Sequence, residues 1–384
     1  MTIECNRQGR CAVSTRLEQR PLRKKRLPLF MLLVGILAAA ASSHAAAQTP
    51  NEVFGGARTI VTRDGISEQG LVPIGGIPQW ISVRGRHKAN PLLLFLHGGP
   101  AFTVSPVSFY YMRDWEEHFT VVQWDQRGAG KTYAASDPEK IKDTLTVDRI
   151  VADAEELIGY LRQKYGKDRI VLMAHSFGTL LGVKLAQRHP DWFFAYVGMG
   201  QFTDALQSEA QGYAATLAAA KADKNDKAVS ALLAIAPFPD REHPERNLQN
   251  LGTERFWLAT YGGYYWPSGF GHNGEIAKLS PDYSAAELKI RDEAQAFSDR
   301  LMWDELGHVN LMDATRFKVP VIIFQGRHDR GTSSALVDQW FAKVKAPAKR
   351  LVWFEDSAHM VYEEEPGKTM DSLVRYVVPL TSSH

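Results

Sequence analysis

The chain changes its hydrophobic pattern three times, and each change predicts a different kind of element. Short alternating runs punctuated by Gly and Pro come first, at Arg58-Thr-Ile-Val-Thr62 and Gln79-Trp-Ile-Ser-Val83. They predict an antiparallel opening hairpin. Continuous apolar runs follow, at Pro91-Leu-Leu-Leu-Phe-Leu96, Phe119-Thr-Val-Val-Gln-Trp124 and Arg169-Ile-Val-Leu-Met-Ala174. Runs of that kind are strands buried on both faces of a mostly parallel sheet. Between them Ile150, Val151, Ala154, Leu157, Ile158 and Leu161 recur at helical spacing, so Val147 to Tyr165 reads as a helix ended by Gly166. Phe177 to Arg188 reads as the next helix, stopped near Pro190. Phe193 to Val197, Val319 to Phe324 and Arg350 to Phe354 are further strands, the last two separated by a helix around Ala335 to Val344. Strand and helix in alternation predict an α/β class fold, a mostly parallel, doubly wound sheet.

From 201 to 310 the strand pattern vanishes. The stretch opens Ala-rich and helical, then carries Phe256-Trp-Leu-Ala-Thr-Tyr-Gly-Gly-Tyr-Tyr-Trp-Pro-Ser-Gly-Phe270. A segment of that length is too long for a connecting loop and reads as an inserted helical lid. The expected division is therefore 1–47 as a signal peptide, 48–200 with 311–384 as the α/β core, and 201–310 as the lid.

Charge alters the reading only at the amino terminus. The chain carries 45 basic and 43 acidic residues. Eight of the basic and two of the acidic ones fall in residues 1–47, so the remainder carries −4. A weakly acidic body without a basic stripe offers nucleic acid no footing. The basic stretch Arg20 to Arg26, the apolar run Leu27 to about Ala41 and the small residues Ala45-Ala46-Ala47 have the order of a cleavable secretory signal, cut after Ala47. The apolar run falls short of the roughly 20 residues that a spanning helix needs. A retained single-pass anchor is the alternative; otherwise nothing beyond export calls for a membrane. Both cysteines, Cys5 and Cys11, lie in the segment to be removed. A periplasmic or secreted chain without thiols has no cysteine nucleophile, Cys-ligated zinc or iron–sulfur cluster. No paired His spacing takes their place, so no metal is expected.

The chemistry concentrates where buried strands end. Ala174-His175-Ser176-Phe177-Gly178 stands where a strand turns into a helix. A serine on such a strained turn is a nucleophile, and small residues two positions to either side let the backbone make it. Gly is usual at the first of those positions, and this chain has Ala174. In such a sheet the orienting carboxylate and the base follow the serine, each on a loop after a later strand. Asp329 follows Val319–Phe324 and His359 follows Arg350–Phe354. His328 is a competing imidazole on the wrong strand, and Asp356 and Asp338 are weaker carboxylates. His97-Gly98-Gly99-Pro100 supplies close backbone approach, so the N–H groups of Gly99 and Phe177 are candidates for an oxyanion hole. Gly128-Ala-Gly-Lys-Thr132 imitates half of a phosphate-binding loop, but Asp125 stands where its first Gly belongs.

His97-Gly-Gly-Pro100, Asp125-Gln-Arg-Gly-Ala-Gly-Lys-Thr132, the Ser176 elbow, Gly326-Arg-His-Asp329 and the late His359 together resemble the α/β-hydrolase superfamily. More narrowly the chain looks like its proline iminopeptidase branch, serine peptidases that release an amino-terminal residue. The likeness covers about residues 52–200 and 311–380. It implies an α/β-hydrolase fold and an acyl-enzyme mechanism without metal or organic cofactor, acting on a small-molecule or short-peptide substrate. Two departures stand out. Ala101 follows Pro100 where the family commonly has Gly, and the lid lacks the Trp-Glu pair whose glutamate binds the substrate amine. Glu254 and Glu305 are the possible substitutes, their alternative being solvated helix charges. Trp257, Tyr261, Tyr264, Tyr265 and Trp266 are candidates for an apolar pocket wall, or else lid core. An esterase would share every core residue and differ in the lid. A non-catalytic binding protein on the same fold is a third reading, opposed by the intact Ser, Asp and His. Relatives that open epoxides carry Asp where this chain has Ser176.

Overall fold

The computed structural model describes residues 48–267 and 269–382, together with the strands Thr2–Cys5 and Cys11–Ser14. The signal peptide read at residues 1–47 lies, apart from those two strands, outside the described residues. Two units result, Met1–Gln48 and Thr49–His384. In the first, Thr2–Cys5 pairs antiparallel with Cys11–Ser14.

The second unit is built on an eight-stranded sheet. Its strands are β1 (Ile66–Ile74), β2 (Ile77–Gly85), β3 (Leu92–Leu96), β4 (Thr120–Trp124), β5 (Ile170–His175), β6 (Phe193–Met199), β7 (Val321–Gly326) and β8 (Lys349–Phe354). Their spatial order is β1-β2-β4-β3-β5-β6-β7-β8. β1 and β2 are antiparallel to their neighbours, and all pairings from β4 to β8 are parallel. Every residue of β3, β4, β5 and β7 is buried, as the continuous apolar runs required. The eight strands bear out the α/β reading.

The opening hairpin differs from the sequence expectation. Arg58 to Thr62 is not a strand. It follows a helix, Pro50–Ala57, and Arg58 turns inward to pair with Glu116 and Asp282. The true hairpin joins β1 to β2 through Gly75-Gly76, at φ of 56° and 77°. Two successive left-handed residues make the tight turn that suits the twist of paired strands, and only glycine adopts them freely. β7 also begins at Val321, two residues later than expected, because Pro320 has no N–H for a ladder.

Helices cover both faces. Helix α1 (Val147–Tyr165) is capped by the Thr146 hydroxyl, which accepts the Arg149 N–H, and ends at Gly166 with φ 62°. Its six apolar positions are all buried against the sheet, the five larger side chains each contributing about 1.5–3 kcal/mol. Helix α2 (Phe177–Arg188) packs beside it. The segment after β6 is helical: α3 (Ala205–Ala222), α4 (Asp226–Ala234), α5 (Glu245–Thr260) and α6 (Ala285–Gly307). Asp204 bridges to Asn310, so this segment leaves and rejoins the core at one place. Helices α7 (Ser334–Lys343) and α8 (Pro366–Tyr376) follow β7 and β8.

Candidate active site

Strand β5 stops at His175 because Ser176 takes φ 54° and ψ −125°, after which α2 begins. Left-handed backbone at a non-glycine residue costs about 1–3 kcal/mol and persists only where the surroundings fix it. Here the Ser176 N–H donates to the Met199 carbonyl at 2.9 Å. The Thr179 hydroxyl donates to the Ser176 carbonyl at 2.6 Å. A Cβ on Gly178 would lie 2.2 Å from the Leu96 carbonyl oxygen, and one on Gly98 would lie 2.9 Å from Ser176 Cβ. Both glycines thus let the β3 loop press against the serine.

The loops after β7 and β8 bring Asp329 and His359 together. Asp329 Oδ2 lies 2.8 Å from His359 Nδ1. The same carboxylate accepts the Gln325 amide at 2.9 Å, the Thr332 hydroxyl at 2.7 Å and the Thr332 N–H at 3.0 Å. Burial works to raise its pKa, but the adjacent imidazole and these donors outweigh burial and hold it below the usual carboxylate range. His359 lies beside Gly200, the residue after the Met199 that holds Ser176: a Cβ on Gly200 would come within 2.8 Å of the ring. Its carbonyl accepts His175 Nε2 at 3.0 Å. Burial lowers the His175 pKa to about 3, so that ring is neutral and carries its proton on Nε2. Asp338 and Asp356 are exposed, and His328 is stacked on Trp266 at 3.5 Å.

The glycine loop after β3 is tightly wound. Gly99 has φ 119°, and a Cβ there would lie 2.5 Å from the N atoms of Ala101 and Phe102. Ala101 is left-handed too, at φ 59°. Where the family commonly has Gly, the conformation that favours Gly remains. Buried His97 braces this loop, its Nδ1 donating to the Gly98 carbonyl at 2.8 Å and its Nε2 accepting the Gln126 N–H at 3.3 Å.

The lid candidates separate. Glu254 is fully buried on α5, its carboxylate bound by Arg255, which also pairs with Glu209 of α3. Its Oε1 has no partner among the described residues, and burial pushes its pKa up. Asp299 stands near Arg255 with its pKa raised to about 6 by burial. Arg255 lies 6.0 Å from the Tyr264 ring, and that ring lies 5.5 Å from His359. The acidic cluster thus adjoins the histidine through Tyr264. Glu305 is not brought there. It is exposed on α6 and accepts the Val147 N–H at 3.0 Å, satisfying the start of α1. Trp257 belongs to the lid core with Tyr213, Leu232 and Phe238. Tyr261 donates to Asp223, Tyr265 to Glu363, and Trp266 covers His328. Of the five aromatics, Tyr264 alone has a ring contact with His359 among the described residues.

The model of the alpha/beta hydrolase fold family matches residues 91–366, well over half the chain. The protein belongs to that family. Its curated relatives include "Probable aminopeptidase YbaC" of Bacillus subtilis, 29% identical over 79% of this chain and 94% of that one. A proline iminopeptidase of Saccharolobus solfataricus is 23% identical over 81% of this chain and 92% of its own. Among solved structures, a proline iminopeptidase-related protein from Thermus thermophilus superposes with a TM-score of 0.59 at 19% identity. That match covers 82% of this chain and 99% of the other. The chain is a hydrolase, similar to proteins named as aminopeptidases.

In this hydrolase the segment that imitates a phosphate loop is a joint between core and lid. Buried Asp125 accepts the Ser105 hydroxyl and the Lys131 N–H, both at 2.8 Å, and also Thr103 and the lid residue Tyr283. Lys131 Nζ donates to the Asp282 carbonyl at 2.6 Å. Sequence reasoning missed Glu209 and Arg255, which lie in helices with no motif around them. It also missed Glu363, Glu364 and Glu365, which stand in no motif.

Proposed function

We propose that the hydrolase works by serine acylation and acts as an aminopeptidase of proline iminopeptidase type. The observation that carries the reading is the 2.8 Å bond between His359 and buried Asp329, beside a serine held in strained backbone. Ser176 Oγ attacks the carbonyl carbon, His359 takes its proton and passes it to the leaving amine, and Asp329 fixes the imidazole and balances its charge. The Gly99 and Phe177 N–H groups receive the oxyanion. Water then releases the acyl group by the same proton path.

For the amino-terminal preference the support is Glu209 and Glu254 near Tyr264, with Asp299 beside Arg255, an acidic group placed to take an ammonium on the acyl residue. An ester substrate is the second reading, favoured by Arg255, which already answers two of those carboxylates. Aminoacyl arylamides with a free amine, the same compounds blocked, and simple acyl esters separate the two. We expect hydrolysis of the free-amine set, lost on blocking, and none by Ser176→Ala. Glu209→Gln should lower kcat/KM on free-amine substrates by about 10–100-fold, the worth of one charge-assisted hydrogen bond. Ester turnover alone would replace the peptidase reading. Export to the periplasm or medium rests on the amino-terminal pattern, and amino-terminal sequencing of the mature protein, expected to begin at Gln48, tests it.

A further inference from the structure

The loop carrying His359 is pinned at nearly every polar group. The His359 N–H donates to the Tyr264 carbonyl at 3.0 Å, and its own carbonyl accepts His175 at 3.0 Å. Ser357 donates to Glu365 at 2.7 Å. Glu364 makes the densest set of bonds. Its Oε2 accepts the N–H of Ala358 at 2.9 Å and of Met360 at 3.2 Å, the two residues flanking the histidine. Its Oε1 accepts the Trp266 N–H from the lid at 2.6 Å. One half-buried carboxylate therefore holds three backbone donors from two separate segments.

Asp329 fixes one ring nitrogen, which leaves the imidazole free to shift with its backbone. A displacement of about 1 Å in a reacting group can cost roughly 100-fold in rate. We infer that Glu364 is a positioning residue: its carboxylate clamps the backbone on both sides of His359 and ties it to the lid at Trp266, keeping the imidazole in line with Ser176. The inference rests on the serine acylation reading above. It also explains why an acid is needed. A carboxylate presents acceptors at both oxygens, whereas the amide of glutamine offers one oxygen and turns an NH₂ toward the remaining N–H donors. Glu364→Gln therefore keeps the shape and breaks the clamp on one side.

A fluorophosphonate probe tests this without a known substrate. Ser176 Oγ bonds to phosphorus, fluoride leaves, and the hydroxyl proton passes to His359. Time courses over a range of probe concentrations give a limiting rate constant and a half-saturating concentration, and intact mass gives the final stoichiometry. For Glu364→Gln we expect the limiting rate constant to fall about tenfold or more, with half-saturation within about twofold and one probe per chain at completion. A merely structural role would reduce the fraction modified and leave the rate of the remaining molecules intact. Glu364→Asp keeps the charge but is one methylene too short to span both sides, and should fall between the two, about threefold or more below wild type. A wild-type rate constant in either folded variant overturns the inference alone. If the wild-type protein is not modified, or Ser176→Ala is modified equally fast, the serine reading itself fails and the inference falls with it.

Discussion

At the scale of single residues the site is held by backbone that pays no attention to side-chain preference. Ser176 at φ 54° and Ala101 at φ 59° both occupy the left-handed region. For Ala101 the cost relative to glycine is about 1–2 kcal/mol, offset by the smaller entropy an alanine loses on folding. Ala101→Gly should therefore change the unfolding free energy by less than about 1 kcal/mol, while Ala101→Val, branched at Cβ, should destabilise by about 2 kcal/mol or more. Urea titrations of the three proteins check this, and a valine variant as stable as wild type would contradict the φ. Gly178 is stricter, since its Cβ would fall 2.2 Å from the Leu96 carbonyl oxygen. Gly178→Ala must push α2 away from β3 and should cost about 1–3 kcal/mol as well as slowing serine modification. The glycines at 98, 99 and 178 were legible in the sequence because each flanks a chemical residue. Glu364 was not, because its partners are backbone N–H groups, which leave no mark on residue identity.

Elements repeat the same division between what pattern encodes and what contact decides. The six apolar positions of α1 set its buried face, since period alone determines which side of a helix faces a sheet. The first strand was misplaced because Arg58 to Thr62 alternates like a strand, whereas the Gly75-Gly76 turn sets the register from β1 to β2. Pattern likewise could not assign Glu305, whose partner is the start of a helix 158 residues earlier. Contact decides the Asp125 joint as well. Tyr283 of the lid donates to this buried carboxylate, so Tyr283→Phe removes a charge-assisted bond worth about 1.5–3 kcal/mol. Because the loss falls between lid and core, limited proteolysis should cut within 201–310 faster in the variant while the core stays intact. Equal rates of cleavage would mean that the joint carries no local stability.

For the molecule as a whole, lid and core meet through buried acids, and that makes stability depend on pH. Glu363 accepts the Tyr265 hydroxyl at 2.7 Å and the Asn273 amide at 2.8 Å, both from the lid segment. Burial first, then neighbouring Glu364, push its pKa from 4.5 to about 7 against the opposing hydrogen bonds. The groups facing it are Tyr265, Tyr362, Tyr111 and Glu364. The tyrosines stay protonated throughout this range, since burial raises each of them further. A carboxyl whose folded pKa lies above its unfolded value binds more protons when folded. Its contribution to stability is then complete below about pH 4.5 and is lost as pH rises through about 7. Glutamine at this position keeps an acceptor oxygen and cannot ionise. Glu363→Gln should therefore gain stability relative to wild type as pH rises from 5 to 8, and the difference should level off above that. Denaturant titrations of both proteins at several pH values measure it directly, and the same pair compared in a Glu364→Gln background removes the coupling between the two neighbouring carboxyls. If the two curves run parallel across the range, Glu363 is ionised in the folded protein well below neutrality, and the lid is held by a charged carboxylate throughout.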